Sequence, residues 1–368
     1  MNEVLYDVWF SALFINRQDV YNKLLIKYGD SESAFNSLNE ADLETFSNAD
    51  RKKILTKDLG IAEGIIKQCE KSKIAIVNQT NSLYPKLLKY IDSAPAVLYA
   101  KGNVNKLQDV KITVIGSRQC DKDGVTNAKR FSKNFNDVGI TVVAGFAPGI
   151  EAVVHKSVLS TIAIMPCGIN ITYPAMHFRL KNQILDNGGL IVTEYPFGVN
   201  AYKENFKYRN RLLAAFSDAT VFIQCGMKSG TAHTFNWTAT YGRDAYVIPG
   251  SINNIFYQGS NGYIKEGGIP ITCPEDVLVD YFNRYPELLY KDETVVENHT
   301  TDKPEPEISD SVSESERLIL SALSGQIMHI DQIVNKTKLS VGEISVCLIN
   351  LELMDIIEKC EGNRYKIK

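Results

Sequence analysis

Short runs of apolar residues alternate with helix-spaced stretches through the middle of the chain. The runs cover residues 112–115, 140–144, 161–165, 190–193, 220–223 and 245–248. Continuous apolar strands that alternate with helices are typical of a parallel sheet covered on both faces, so the pattern predicts an open α/β architecture. Nearly every run ends in a glycine-containing or polar loop. Because the carboxyl ends of strands form the ligand crevice in open α/β sheets, we expect these loops to hold the function.

The flanking segments predict a smaller domain on each side of this region. Residues 1–73 have helix-spaced apolar positions and predict a helical, SAM-like domain. Residues 74–285 then form an extended Rossmann-like domain, in which short strands between Pro and Gly turns precede the alternating runs. Residues 313–368 contain three helical stretches and a terminal hairpin, which predict a winged-helix-like domain.

Charge is distributed unevenly along the 368 residues. The net charge of −3 is unfavourable for phosphate contacts, which need Lys and Arg. However, residues 292–316 carry nine acidic residues against one Lys, whereas residues 110–290 carry 17 basic residues against 14 acidic ones. The middle of the chain is therefore mildly basic, and residues 286–312 predict an acidic, disordered linker.

Composition argues against several classes of protein. The seven cysteines are scattered and include no Cys-x-x-Cys pair, so neither a disulfide framework nor a zinc site is expected. The sequence shows no secretory signal pattern and no apolar stretch of the ~20 residues that a membrane span needs. We expect a cytoplasmic protein without a membrane segment, a metal or a cofactor.

Two of the strand-end loops suit an anion. Gly116-Ser117-Arg118 lies at the first strand-to-helix turn, where glycine lets the backbone approach a ligand and Arg118 adds a charge. Residues 227–231 follow a later strand and offer hydroxyl groups, Lys228 and the start of a helix. A plain turn with Thr231 as helix N-cap is the other interpretation, and it is compatible with binding. The Gly-x-Gly-x-x-Gly fingerprint of dinucleotide-binding proteins is absent from the first turn, which lowers the odds of an NAD enzyme.

A third candidate is the basic and aromatic segment 203–211. It holds four basic residues, two aromatic ones and a single acid. Cations that follow a phosphate backbone and rings that stack on bases are typical of single-strand binding, although a solvated helix with buried rings has the same composition. The segment after Tyr173-Pro174, with His177, Arg179 and Lys181, extends the basic rim.

No catalytic arrangement emerges from the sequence. His155 and His233 lack the spacing of a Ser/His/Asp or Cys/His site, and we expect both to be ordinary polar or core residues. Glu151 and Glu194 have no evident partner for acid–base chemistry. The chain is therefore expected not to be an enzyme.

The order of these motifs is more specific than any one of them. It runs Tyr84-Pro85, Gly116-Ser117-Arg118, Gly149-Ile150-Glu151 with His155, Tyr173-Pro174, Arg209-Asn210-Arg211, Ser229-Gly230-Thr231 and Pro249-Gly250. In this order the motifs resemble the DNA-processing protein A (DprA, also Smf) family, over most of the chain from about residue 74.

The resemblance implies a function and a site. Members of that family bind single-stranded DNA in a positively charged pocket, form dimers and load the recombinase RecA during natural transformation. The resemblance therefore implies single-stranded DNA and RecA as partners, and a homodimer. Together with the basic rim, it gives these expected DNA contacts: Gly116, Ser117, Arg118, Arg179, Lys181, Phe206, Arg209, Asn210, Arg211, Ser229, Gly230, Thr231 and Lys265.

This chain departs from the family pattern at two positions near the pocket. Glu151 replaces the Asp that is usual after Gly-Ile. Ala175 stands where a basic residue often follows Tyr-Pro, so that either Arg179 or Lys181 takes its place or the pocket binds more weakly.

Two other functions remain open from the sequence. A nucleotide-binding or phosphoribohydrolase-type Rossmann enzyme is one, but residues 232–236 after Ser229-Gly230-Thr231 contain no carboxylate to act as its base. A sequence-specific regulator that uses the winged helix is the other. Its expected recognition helix, residues 341–353, has no Lys or Arg and suits protein contact better than a DNA groove.

Overall fold

The computed structural model describes residues 2–227, 229–289, 313–323, 327–354, 356–360 and 364–367. The chain divides into two compact units, Met1–Val295 and Val296–Lys368. Most of the expected linker lies outside the described residues. Its first part is described and forms the short 3-10 helix Pro286–Leu289.

One large sheet organises the described part of the first unit. Strands β1 to β9 are Ala75–Asn78, Val97–Gly102, Lys111–Ile115, Thr141–Gly145, Thr161–Ile164, Leu190–Thr193, Ala219–Phe222, Asp244–Val247 and Ile269–Pro270. They lie in the order β1-β2-β6-β5-β4-β3-β7-β8-β9. Neighbours from β6 to β9 in this order are parallel, while β2 pairs antiparallel with β6 and β1 with β2. The six apolar runs correspond to β3 to β8, which confirms the predicted mostly parallel sheet.

Twelve helices accompany this sheet in the described part of the first unit. Helices α1 to α12 are Asn2–Leu13, Gln18–Tyr28, Ser31–Ser37, Asn48–Leu55, Gly60–Lys71, Lys122–Asp137, Ile150–Ser157, Phe178–Asp186, Lys203–Ala215, Thr231–Thr240, Gln258–Lys265 and Glu275–Arg284. Among the described helices, none is long and apolar enough to cross a membrane.

The N-terminal helices share a hydrophobic core with the edge of the sheet. Trp9 and Phe14 of α1 and its following turn belong to the same buried cluster as Tyr99 of β2 and Ile191 of β6. The Ser11 hydroxyl also lies 2.7 Å from the Tyr99 hydroxyl in the interior. The predicted boundary at residues 73 and 74 thus falls between α5 and β1, but the segments on its two sides pack together.

The strand order creates a natural ligand site at β3. Strands β4, β5 and β6 follow on one side of β3, whereas β7, β8 and β9 follow on the other. Loops that leave the carboxyl ends of β3 and its neighbours therefore diverge and open a crevice at this switch point. Both loops with the Gly116 and Ser229 motifs leave strands of this group.

The second unit is a small α/β fold with its own core. Its elements are α13 (Glu314–Leu323), β10 (Met328–His329), α14 (Ile330–Thr337), α15 (Val341–Leu353), β11 (Ile357–Cys360) and β12 (Arg364–Ile367). The strands pair antiparallel in the order β10-β12-β11. Ile319, Ile344 and Ile357 lie in its buried cluster. Three helices with a small antiparallel sheet confirm the predicted winged-helix architecture.

Candidate nucleic-acid interface

A cleft of about 660 Å³ opens at the carboxyl ends of the central strands. Loops after β3, β4, β7 and β8 form it together with α9 and the start of α10. Its described lining comprises Ile115, Gly116, Ser117, Arg118, Gln119, Ala147, Glu151, Lys203, Phe206, Lys207, Arg209, Asn210, Gly226, Ser229, Gly230, Thr231, His233, Thr234, Ile255 and Phe256. The volume is within the range of small-molecule and nucleotide sites.

Hydrogen bonds hold the Gly116-Ser117-Arg118 loop in place. The Ser117 amide donates to the Gln224 carbonyl (2.8 Å), and the Ser117 hydroxyl accepts from the Gly226 amide (3.0 Å). These bonds join the loops after β3 and β7. The Ser117 side chain is buried, whereas Arg118 is exposed and free to meet a ligand.

Two glycines let the loops after β3 and β4 approach each other. A Cβ atom at Gly116 would lie 2.6 Å from Cγ1 of Ile150. Gly149 has a φ of +82°, and a Cβ there would lie 2.4 Å from the carbonyl oxygens of Ser117 and Arg118. The Gly-Ser-Arg and Gly-Ile-Glu motifs therefore pack directly against each other. This close packing requires glycine at positions 116 and 149, because a side chain at either position would clash.

Helix α9 presents cations and an aromatic ring to the cleft. Lys203, Phe206, Lys207 and Asn210 recur at helical spacing, so one face of α9 carries all four. The guanidinium carbon of Arg118 lies 5.0 Å from the centroid of the Phe206 ring. A half-buried ring beside a guanidinium plane suits stacking on a base, while the two exposed lysines suit phosphates.

The start of α10 closes the opposite side. Gly230 occupies the N-cap position, and the Thr231 amide of the first turn donates to the Ser229 hydroxyl (3.3 Å). The interpretation of Thr231 as N-cap is therefore wrong, because Thr231 is the first helical residue and its hydroxyl contacts Ser229 and Tyr263 (both 2.9 Å). Asn210 donates from Nδ2 to the Gly230 carbonyl (3.2 Å) and ties this turn to α9. The helix N-terminus favours negative charge at this wall.

Two buried side chains of opposite charge form the floor. Arg209 is almost fully buried, donates from Nη1 to the Ile164 carbonyl and shares the space beside Gly145 with the Glu151 carboxylate. Burial lowers the pKa of Arg209, and the Glu151 carboxylate opposes that change. Glu151 accepts from the Ala147 amide at 2.8 Å. The departure from Asp to Glu thus keeps a carboxylate against Arg209.

Comparison with known proteins places the chain in a family. The model of DNA recombination-mediator protein A matches residues 75–282. The chain belongs to the DNA recombination-mediator protein A family. A second model, the DprA winged helix domain, matches residues 303–363. The predicted DprA/Smf resemblance is confirmed.

Individual relatives agree with this assignment. DNA processing protein DprA of Streptococcus pneumoniae is 33% identical over 202 residues, which are 54% of this chain and 71% of that protein. Protein Smf of Escherichia coli is 25% identical over 300 residues, 80% of this chain and 77% of that one.

Two solved structures share the fold. The X-ray structure of Streptococcus pneumoniae DprA has a TM-score of 0.64 and 27% identity, covering 76% of this chain and 97% of that chain. DprA of Helicobacter pylori, whose structure concerns its single-stranded DNA binding mode, has a TM-score of 0.53 and 24% identity. It covers 58% of this chain and 97% of that one.

Two of the expected contact residues are buried away from the cleft. Lys181 donates from Nζ to the carbonyls of Ile169 (2.6 Å) and Ile171 (2.9 Å), and its burial lowers its pKa. Arg211 follows Arg209 by two positions and so lies on a different face of α9. Neither side chain lines the cleft, and we correct the sequence-based site accordingly.

Arg211 binds Glu194 instead of a ligand. Its two terminal nitrogens lie 2.7 Å from the two Glu194 carboxylate oxygens. It also donates to the Ser93 hydroxyl and carbonyl (both 2.9 Å) and stacks on Tyr208. Glu194 therefore has a structural ion-pair partner rather than a partner for acid–base chemistry. This bidentate pair anchors α9 to the end of β6 and to the loop before β2.

Other expected residues lie near the surface but outside the cleft. Arg179 and Lys265 are exposed, and neither is among the described residues that line the cleft. Lys228 lies outside the described residues. Because neither Arg179 nor Lys181 is among the described lining residues, neither supplies to the cleft the charge that Ala175 lacks.

Several lining residues were not predicted from the sequence. His233, which we expected to be an ordinary polar or core residue, is exposed and lines the cleft. Ile255 and Phe256 reach the cleft from the loop after β8, which the strand-end pattern marked without naming these residues. No cluster of three or more His, Cys, Asp or Glu that could hold a metal occurs among the described residues.

His155 supports the end of β4 from within the core. Its Nε2–H donates to the Gly145 carbonyl, and its Nδ1 accepts from the Thr161 hydroxyl, both at 2.7 Å. Burial lowers the pKa of His155 from 6.5 to about 4, although the bond to Gly145 opposes the change. The folded protein therefore holds a neutral imidazole at neutral pH.

This depressed pKa predicts a pH-dependent stability. Between pH 6.5 and about 4 the unfolded chain binds a proton at His155 that the folded chain does not. The free energy of unfolding is thus expected to fall by up to about 3 kcal/mol as the pH drops through this window. Urea unfolding at pH 6.5 and at about pH 4 measures the loss of free energy of unfolding. A His155→Gln variant is expected to lose less, and an equal loss in both proteins would contradict the assignment.

Proposed function

We propose that this chain binds single-stranded DNA in the cleft and mediates recombination without being an enzyme. The arrangement that carries the proposal is exposed Arg118 beside the Phe206 ring, opposite the start of α10. A cation, a stacking ring and an anion-favouring helix end face one space, as an unpaired nucleotide requires. The single-stranded DNA binding described for the Helicobacter pylori protein supports the same ligand.

The proposed contacts follow from the described lining. We retain the expected residues that line the cleft and add Lys203 and Lys207, which are exposed on the same face of α9. The proposed set is Gly116, Ser117, Arg118, Lys203, Phe206, Lys207, Arg209, Asn210, Ser229, Gly230 and Thr231. Arg209 contributes charge from the floor rather than a flexible surface contact.

We further propose that the chain acts on RecA as a cytoplasmic homodimer. The family resemblance supports this, since the matching family model is that of a recombination mediator. A mediator has to hold a strand while a recombinase assembles on it. RecA filament assembly on coated single strands, with and without this protein, tests the proposal: acceleration supports it, and no change contradicts it.

An enzymatic alternative has one observation in its favour. Glu151 is a carboxylate among the residues that line the cleft. However, it already accepts from the Ala147 amide and lies beside Arg209, so it is held as part of the floor. We propose that nucleoside monophosphates release no base with this protein. Release that Glu151→Gln abolishes would establish the hydrolase instead.

A mobility shift with oligonucleotides across a range of salt tests the proposed function. Binding to single strands should weaken with salt, with a log–log slope of about −0.7 per phosphate neutralised. A duplex of the same length is the control, and weaker binding to it is expected because its bases are not free to stack. Absence of single-strand binding at low salt would contradict the proposal.

A further inference from the structure

Three exposed apolar side chains lie beside the cleft, on the segment that links β5 to α8. Tyr173, Met176 and Phe178 have exposed fractions of 45%, 78% and 60%. We refer to these three residues as the ledge. The sequence predicts a basic rim here, but Lys181 is buried and position 175 is an alanine. The exposed surface is therefore mainly apolar.

The ledge is continuous with the cleft. The Tyr173 ring packs edge-on against the Phe206 ring, with 5.6 Å between their centroids. Behind the ledge, His177 is buried and its Nδ1 lies 3.3 Å from the Phe146 carbonyl, next to Ala147 of the cleft lining. These two contacts fix the segment against both a ring and a loop of the cleft.

The charged residues near the ledge favour a ligand that carries phosphates. Residues 173–185 contain no Asp or Glu, and Arg179 is exposed at the start of α8. Aromatic rings and a thioether beside a cation suit the faces of unpaired bases, and the lack of acid avoids repulsion of phosphates. A surface at the carboxyl end of β5 also lies on the edge of the sheet where ligands of this fold bind.

We propose that the ledge stacks the bases of further nucleotides of the strand that occupies the cleft. This inference rests on the proposed function, since it extends the same binding site along the edge of the sheet. The apolar contact replaces the phosphate contact that a basic residue at position 175 would make. The binding site therefore continues past Phe206, from Tyr173 towards Met176 and Phe178.

Oligonucleotide length separates the ledge from the cleft. We would measure the fluorescence anisotropy of labelled oligothymidylates of about 6 and about 20 nucleotides, since one is near the size of a single site and the other exceeds it. Met176→Ser/Phe178→Ser is the variant, with Met176→Ser alone as a milder change. Leu159→Ser is the matched control, because Leu159 is 75% exposed and precedes β5 at the opposite end of the strand.

The double variant is expected to bind the longer strand about tenfold more weakly and to bind the shorter one within about twofold of the parent protein. Leu159→Ser should change neither. An equal loss of affinity for both oligonucleotides, or no loss for either, would contradict the proposed role of the ledge. Binding to phosphatidylserine vesicles that the double variant alone loses would make the ledge a membrane contact instead. Failure of the parent protein to bind either oligonucleotide would overturn the proposed function itself.

Discussion

Replacement of Arg211 with methionine is expected to lower the free energy of unfolding by about 3–5 kcal/mol. Arg211 and Glu194 form a fully buried bidentate pair, so removal of the guanidinium leaves the carboxylate without its counter-charge in the interior. The Ser93 hydroxyl and carbonyl lose their donor as well. Urea unfolding followed by circular dichroism measures the change.

A second variant separates the buried charge from simple loss of packing. Arg211→Met/Glu194→Met removes both charges and is expected to recover part of the lost stability, because buried pairs are often replaced by apolar groups at little cost. Folded Arg211→Met should also keep its affinity for single strands, since Arg211 does not line the cleft. If Arg211→Met had normal stability but bound DNA more weakly, Arg211 would be part of the DNA interface.

Arg118→Ala is expected to weaken single-strand binding by about 10- to 100-fold, the range of one or two charge-assisted hydrogen bonds. The side chain is exposed and lies over the Phe206 ring at the mouth of the cleft, so its loss removes both a phosphate partner and a stacking plane. The salt dependence should decrease by about 0.7 in log–log slope. Anisotropy titrations at several salt concentrations give both values.

The stability of Arg118→Ala distinguishes a contact from a folding defect. Because Arg118 is exposed, the free energy of unfolding should change by less than about 0.5 kcal/mol. Arg130→Ala is the matched control, since Arg130 is exposed on α6 and is not among the described cleft residues. A loss of affinity in Arg130→Ala equal to that in Arg118→Ala would indicate a general charge effect rather than a site.

The sheet could be predicted from the sequence because its strands are buried on both faces. Residues 112–115 and 220–223, for example, are continuous apolar runs, and the structure places them as neighbouring strands at the switch point. The loops that follow them necessarily meet at one edge of the sheet. The pattern of apolar runs was therefore enough to predict that the Gly116 and Ser229 loops lie at the same edge of the sheet.

Which cations are exposed could not be read from the same pattern. Arg209 and Arg211 belong to one basic run, yet Arg209 borders the cleft and Arg211 pairs with Glu194 at the end of another strand. Lys181 likewise satisfies carbonyls of the preceding loop. These partners depend on tertiary packing. A prediction from composition therefore included the buried cations in the binding surface.

The location of the bound strand is the central claim, and photo-crosslinking tests it most directly. A single-stranded oligonucleotide with iododeoxyuridine is irradiated with the full-length protein, and the modified peptides are identified by mass spectrometry. We predict adducts at Phe206, with Tyr173 as the neighbouring ring. Adducts confined to residues 313–368, with none in residues 203–211, would contradict binding in the cleft.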